Sequence, residues 1–119
     1  ALESIRIAAD GALAWFTVTR DMMWRTGGKS EHIGGFTDMV RSVKGAEVAL
    51  MINEQGDDRC RINFRSKGKI KINSLARKLG GGGHEFAAGA TVRMSLDEAI
   101  SKIVPMAEAE IDTKIARIN

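Results

Sequence analysis

Hydrophobic and polar residues alternate along the chain from Arg59 to Ser66. Cys60, Ile62 and Phe64 are the apolar positions of this stretch, and arginine or asparagine lies between them. A period of two is typical of a strand that buries one of its faces. Cys60 is the single cysteine, so we interpret it as a half-buried strand residue rather than a nucleophile or half of an internal disulfide. Apolar runs predict three more strands: Ala12–Thr19, Ala46–Asn53 and Ala88–Met94.

A helical period marks three further segments. Apolar residues recur every three or four positions in Ser30–Val43, which predicts a helix there. The sequence Ser95–Glu98 is a capping box that opens a C-terminal helix, and Pro105 is expected to kink or divide that helix. A short helix is predicted from a cap at Asn73 through Leu79, and Gly80 is expected to end it.

The chain of 119 residues, 44% of them hydrophobic, is long enough for one core. Residues 1–10 are expected to be the end of an interdomain linker or helix, and residues 11–119 to form a single domain. Gln55–Asp58 is interpreted as a hairpin turn rather than a metal site. No apolar run is long enough to span a bilayer, and the first residues do not have the composition of a signal peptide. We therefore expect a soluble, cytoplasmic protein.

The charge of the chain is unevenly distributed. Its formal net charge is +3, but all 15 acidic residues lie outside the segment from Arg59 to His84. Such asymmetry focuses a positive potential on one part of the surface and indicates phosphate or nucleic-acid partners. An ordinary solvated basic strand is the alternative. The basic residues of the segment are Arg59, Arg61, Arg65, Lys67, Lys69, Lys71, Arg77 and Lys78.

Four consecutive glycines, Gly80 to Gly83, precede His84 at the end of this basic segment. Backbone without Cβ atoms can approach a bound group closely and adopt positive φ at little cost, as anion-binding loops require. A flexible linker is the alternative, but the apolar residues Phe86 and Ala87 follow almost at once and are typical of packed structure. We therefore predict a glycine-rich binding loop with His84 at its rim.

Several of these segments together resemble the C-terminal, DHH-associated domain of DHH phosphoesterases. The likeness is carried by Phe64–Gly68, the pair Ile72-Asn73, Leu79–His84 and Ala87–Gly89, and it extends upstream, so that it covers roughly residues 10–111. Within that superfamily the chain most resembles oligoribonucleases that also act as phosphatases on 3'-phosphoadenosine 5'-phosphate. The resemblance implies an α/β fold in which a mixed sheet is flanked by helices.

The resemblance further implies that this chain is the substrate-binding half of an enzyme. In the family, a separate N-terminal domain carries an Asp-His-His motif and a pair of divalent metals, usually manganese. This chain has no such motif, so no catalytic residue, metal ligand or cofactor is expected in it. The implied partners are short RNA oligonucleotides or nucleotide phosphates, and the catalytic domain of the same polypeptide. The implied substrate ligands are Arg65, Ser66, Gly81, Gly82, Gly83 and His84, with Lys67 and Asn73 as less secure contacts.

Two other functions stay open at this point. The chain also resembles the substrate domain of cyclic dinucleotide phosphodiesterases, which shares the glycine-rich segment. A non-catalytic, tRNA-binding domain like that of alanyl-tRNA synthetases is the second alternative. The pair Arg65-Ser66 and His84 argue against tRNA binding, because these residues fit a phosphoesterase pocket better.

Overall fold

The computed structural model describes residues 5–21, 36 and 43–118. The helix predicted at Ser30–Val43 lies outside these residues except for Phe36 and Val43. The described residues form an α/β fold with one mixed sheet, which confirms the expected fold class. The strands are β1 (Arg6–Ala8), β2 (Leu13–Val18), β3 (Val48–Gly56), β4 (Arg59–Ser66), β5 (Gly82–His84) and β6 (Ala87–Val92), and the helices are α1 (Asn73–Lys78) and α2 (Leu96–Ile118).

The six strands lie in the order β1-β2-β3-β4-β6-β5. Only the β2–β3 pair is parallel, and the other four pairs are antiparallel. The β3–β4 hairpin confirms the predicted pair, although β3 runs to Gly56 and leaves only Asp57 and Asp58 in the turn. This order puts β4 inside the sheet and β5 at one of its edges.

In the described part of residues 1–10, a strand takes the place of the expected linker or helix end. Arg6–Ala8 pairs antiparallel with β2, with Arg6 opposite Trp15. The chain then reverses through Ala9 and Asp10, whose φ values of 52° and 54° lie in the left-handed region. Three residues are too few to show an alternating pattern, and pairing with β2 supplies the hydrogen bonds that make this segment a strand.

A large apolar core fills one face of the sheet, where both α1 and α2 pack. Cys60 points into this core, as the alternation along β4 predicts, and its burial raises the pKa of the thiol. The opposite face carries a smaller cluster over β2 and β3, in which the rings of Phe16 and Phe36 lie 6.1 Å apart. The side chains that fill the large core include Leu13, Leu50, Ile52, Ile62, Phe64, Ile72, Leu75, Ile103 and Ile111.

The capping box of α2 is confirmed by two reciprocal hydrogen bonds. The Ser95 amide donates to Oε1 of Glu98 at 3.0 Å, and the Glu98 amide donates to the Ser95 hydroxyl at 3.2 Å. The bond from the Ser95 amide, together with a hydrogen bond from the Ser95 side chain to the same carboxylate, holds the pKa of Glu98 below its usual value. The helix continues through Pro105 to Ile118, so Pro105 does not divide it, and the alternative expectation of a kink stays a prediction. No helix in the described residues has the length and apolarity needed to cross a bilayer.

The two ends of α1 differ in how well the sequence predicts them. Gly80 ends the helix as expected, with φ at +86° and its amide donating to the carbonyl of Arg77 at 3.0 Å. The amide of Gly81 donates to the carbonyl of Ala76 at 2.9 Å, which completes a Schellman motif. The predicted cap at Asn73 is wrong, because Ile72 takes the N-cap position and no side chain caps the helix.

Candidate functional site

The alternation along β4 places Arg61, Asn63 and Arg65 on the face of the sheet opposite the large core. These residues pair across β6 with Thr91, Gly89 and Ala87 respectively. On the far side of β6, Gly82 of β5 pairs with Gly89, and His84 pairs with Ala87. Residues that pair directly across a sheet share a face. Glycine and alanine therefore make most of this face over β5 and β6.

A shallow groove of about 270 Å³ follows from this distribution of side chains. On β4 its wall consists of long polar side chains, whereas its floor on β5 and β6 is mostly bare backbone. Two arginines and no carboxylate line it, so the groove is suited to an anion. Its lining residues are Arg61, Asn63, Arg65, Gly82, Gly83, Ala87, Ala88 and Gly89.

The glycine run does not form the predicted loop. Gly80 and Gly81 belong to the end of α1, and Gly82–His84 is the edge strand β5. A Cβ at Gly81 would collide with the carbonyl oxygen of Gly89, and a Cβ at Gly83 would lie 2.7 Å from the Cα of Ala88. At Gly81 and Gly83, glycine is thus required by the close approach of β5 to β6.

The turn between β5 and β6 is anchored to the last residue of β4 and to the segment that follows this strand. The Ile72 amide donates to the carbonyl of Glu85 at 2.7 Å, and the Ser66 amide donates to the carbonyl of Phe86 at 2.9 Å. Lys71 adds an ion pair with the Glu85 carboxylate at 2.9 Å. These contacts fix the position of the hairpin, and with it the floor of the groove.

The structure brings together some of the predicted ligands. Arg65, Gly82 and Gly83 line the same groove. His84 does not line it, but lies exposed at its edge, in the same rung of the sheet as Ala87 and Arg65. Within the described residues the side chain of Arg65 makes no hydrogen bond or ion pair. The N–H donors of its guanidinium are therefore available to a ligand in the groove.

Other predicted ligands are engaged elsewhere. Ser66 pairs with Val48 on the core face of the sheet, and its hydroxyl accepts from the Gly68 amide at 3.2 Å. The amide of Gly81 is used by the end of α1. Nζ of Lys67 donates to the carbonyl of Val43 at 3.2 Å. The groove is not lined by Ser66, Gly81, Lys67 or Asn73, and the roles of these four residues as ligands stay predictions.

Three polar or glycine positions of the groove were not among the predicted ligands: Arg61, Asn63 and Gly89. Nη1 of Arg61 donates to the hydroxyl of Thr91 at 3.3 Å. A Cβ at Gly89 would lie 2.5 Å from Nη2 of Arg61, so the guanidinium lies directly over the backbone of this glycine. The alternation along β4 carried the signal for Arg61 and Asn63, because it places them on one face with Arg65.

The metal pair implied by the resemblance does not fit the residues described. Residues 5–21, 36 and 43–118 contain no group of three or more histidine, cysteine, aspartate or glutamate side chains that could hold a metal ion. Asp57, one of the paired acids in the β3–β4 turn, instead accepts a hydrogen bond of 2.6 Å from Arg20.

The sequence of this chain matches a known domain family. The model of the DHHA1 domain matches residues 16–113. Two proteins called bifunctional oligoribonuclease and PAP phosphatase NrnA are similar to the chain. The one from Thermus thermophilus is 32% identical over 85 residues, and the one from Bacillus subtilis is 33% identical over 97 residues. These alignments cover 71% and 82% of this chain but 26% and 30% of the relatives, so the chain spans less than a third of their length.

Solved structures share the same fold. An exopolyphosphatase-related protein from Bacteroides fragilis superposes with a TM-score of 0.80 at 24% identity, over 99% of this chain and 34% of that one. The C-Ala domain of alanyl-tRNA synthetase from Aquifex aeolicus gives 0.62 at 16% identity, over 89% of this chain and 96% of that one. A pGpG-specific phosphodiesterase from Vibrio cholerae gives 0.58 at 11% identity, over 92% of this chain and 36% of that one.

Proposed function

Because the chain belongs to the DHHA1 domain family, we propose that it is the substrate-binding domain of a DHH phosphoesterase. The whole enzyme degrades short oligoribonucleotides and dephosphorylates 3'-phosphoadenosine 5'-phosphate, in line with the names of the two relatives. Hydrolysis belongs to a separate DHH catalytic domain of the same polypeptide, which holds the divalent metal, manganese. A cytoplasmic location is part of the same proposal, since short RNAs and nucleotide bisphosphates are cytoplasmic compounds.

One observation carries the proposal: the groove that combines two arginines with a floor of glycine and alanine. Arg65 presents a planar fork suited to bidentate contact with a phosphate. The bare floor lets a ligand approach the sheet closely at Gly82, because no Cβ stands between it and the backbone there and the space above is open. His84, in the same rung as Arg65, can donate a ring N–H to the same phosphate. In this arrangement the chain binds and orients the substrate.

A titration of this chain with the diribonucleotide ApA, followed by amide NMR shifts, tests the proposal. We expect the largest shifts at groove residues such as Arg65, Gly82 and Gly89. Arg65→Ala should raise the Kd at least tenfold, because a charge-assisted hydrogen bond contributes about 1.5–3 kcal/mol. The matched control is Arg77→Ala, which removes the same charge from an exposed position on α1, and it should leave the Kd within twofold.

Four outcomes would contradict this function. Shifts that cluster away from the groove, or an Arg65→Ala variant that binds as well as Arg77→Ala, would remove the groove as the binding site. Tighter binding of a folded tRNA than of any dinucleotide would favour the tRNA-binding alternative instead. A strong preference for linear pGpG over pApA, which carries the same terminal phosphate, would redirect the assignment toward cyclic dinucleotide turnover.

A further inference from the structure

Arg61 is held in place more firmly than an ordinary surface arginine. Its side chain is half-buried, Nη1 donates to the hydroxyl of Thr91, and Nη2 lies over Gly89. Only a glycine at position 89 leaves room for this placement, since a Cβ would lie 2.5 Å from Nη2. The guanidinium is therefore positioned before any ligand arrives, which lowers the entropy lost on binding.

Arg61 also occupies a defined place relative to Arg65. The two residues are four positions apart on β4 and share a face, so their Cα atoms lie about 13 Å apart along the strand. Asn63 lies between them and lines the same groove. Both arginine side chains are long enough to reach inward along the groove. One extended ligand can therefore contact both of them.

The charges of the groove match a ligand with two anionic groups. Arg61 and Arg65 carry like charges, and no carboxylate lines the groove to balance them. The carboxylate of Glu85 lies at the nearby hairpin turn, but it is paired with Lys71. One phosphate can compensate one guanidinium, and a second phosphate is needed to compensate the other.

We propose that Arg61 forms a second phosphate subsite, so that the preferred ligand carries two phosphate groups along β4. This inference rests on the proposed function, in which Arg65 holds the first phosphate. Of the five N–H donors of a guanidinium, the bond to Thr91 uses one, and the others remain for the ligand. The subsite makes a 5'-phosphorylated dinucleotide a better ligand than the same dinucleotide without its terminal phosphate.

The dependence of binding on salt tests this subsite, with ApA and pApA as matched ligands. Each additional phosphate contact makes the slope of log K against log salt concentration more negative. The slope for the unmodified chain should therefore be more negative with pApA than with ApA. Arg61→Ala should remove the difference between the two slopes and raise the Kd for pApA roughly tenfold, a much larger factor than for ApA.

Two further variants separate a phosphate contact from general effects. Arg59→Ala removes the same charge from an exposed residue of the same strand that does not line the groove, and it should change neither slope. Arg61→Gln keeps a side chain that can bond to Thr91 and should fold normally by thermal melting, yet it should lose the pApA preference as Arg61→Ala does.

Each remaining outcome overturns the inference in a recognisable way. Equal losses for ApA and pApA in Arg61→Ala would show that Arg61 acts on the groove as a whole and not on a second phosphate. Full pApA preference in Arg61→Gln would show a packing role. If Arg65→Ala leaves both ligands unaffected, the proposed function itself fails, whereas loss in Arg65→Ala with no effect of Arg61→Ala removes only the second subsite.

Discussion

Arg65 and His84 lie two strands apart in one rung of the sheet, with Ala87 between them. The methyl group of Ala87 is too small to separate the two longer side chains that flank it on the same face. A phosphate above Ala87 is thus within the reach of both residues. This placement is a property of strand pairing, because 19 positions separate the two residues in the sequence (84 minus 65).

A double-mutant cycle on Arg65 and His84 follows from this placement. Each single change to alanine should weaken ApA binding about tenfold to a hundredfold, the loss of one charge-assisted hydrogen bond of roughly 1.5–3 kcal/mol. The double variant should lose less than the sum of the singles, since both residues contact the same group. Calorimetric Kd values for the four proteins measure the coupling. Strictly additive losses would mean that the two residues do not share a ligand.

At the scale of elements, the β5–β6 hairpin is the part of the fold that forms the floor of the groove. Glycine has two different roles in it. Gly81 and Gly83 allow β5 to lie against β6, where a Cβ would collide with backbone atoms. Gly82 has nothing within 4 Å of its Cβ position, and it lines the groove. The first role concerns stability, and the second concerns access of a ligand to the floor.

Two alanine substitutions distinguish these roles. Gly81→Ala should lower the free energy of unfolding by about 1–3 kcal/mol, since its Cβ would meet the carbonyl of Gly89 and the backbone of Ala90. Gly82→Ala, the matched control, should change that free energy by no more than about 0.5 kcal/mol and yet weaken ApA binding by placing a methyl group on the floor. Urea unfolding and an ApA titration of both variants provide the measurements. Equal stability of the two variants would contradict the packing described for Gly81.

At the scale of the whole molecule, the two faces of the sheet differ in charge and in what covers them. The acid-free segment supplies Arg61, Asn63 and Arg65 to one face of β4, while β5 and β6 supply the bare floor. The other face of the sheet is occupied by α1, α2 and the large core. Among the described residues, the face over β4, β5 and β6 therefore offers a basic surface for an anion.

We expect this chain alone to hydrolyse neither ApA nor 3'-phosphoadenosine 5'-phosphate in the presence of manganese. The two-metal chemistry of such enzymes requires a cluster of acidic and histidine ligands, and the described residues contain no such cluster. Product analysis by chromatography over several hours is the measurement. Metal-dependent turnover that stays with the chain through several purification columns would show that the catalytic centre had been misplaced.

Much of the fold could be predicted from local pattern. The alternation along β4 predicted both its bounds and its buried face, and the Ser95–Glu98 box predicted the start of α2. Gly80 was recognisable as the end of α1. These features depend on residues within a few positions of one another, so their physics is present in the sequence itself. The cap at Asn73 failed because the backbone at Ile72 begins the helix without help from a side chain.

The groove could not be predicted from local sequence pattern, because it forms through contacts between strands that lie apart in the sequence. Four glycines are compatible with a loop or a strand, and only pairing with β6 makes Gly82–His84 an edge strand. The end of α1 takes the amide of Gly81, and pairing of β4 with β6 brings Arg61 over Gly89. Ser66 follows Arg65 directly and therefore lies on the other face of β4, although both residues belong to the motif Phe64–Gly68.

The sequence by itself determined the fold class, the family resemblance and the basic, carboxylate-poor character of the binding segment. These depend on composition, periodicity and short motifs. The tertiary structure decided which of the basic and glycine residues share one surface, because strand order and register bring together positions far apart in the chain. Register has a period of two, so a difference of one residue decides whether a side chain such as Ser66 or Arg65 faces the core or the groove.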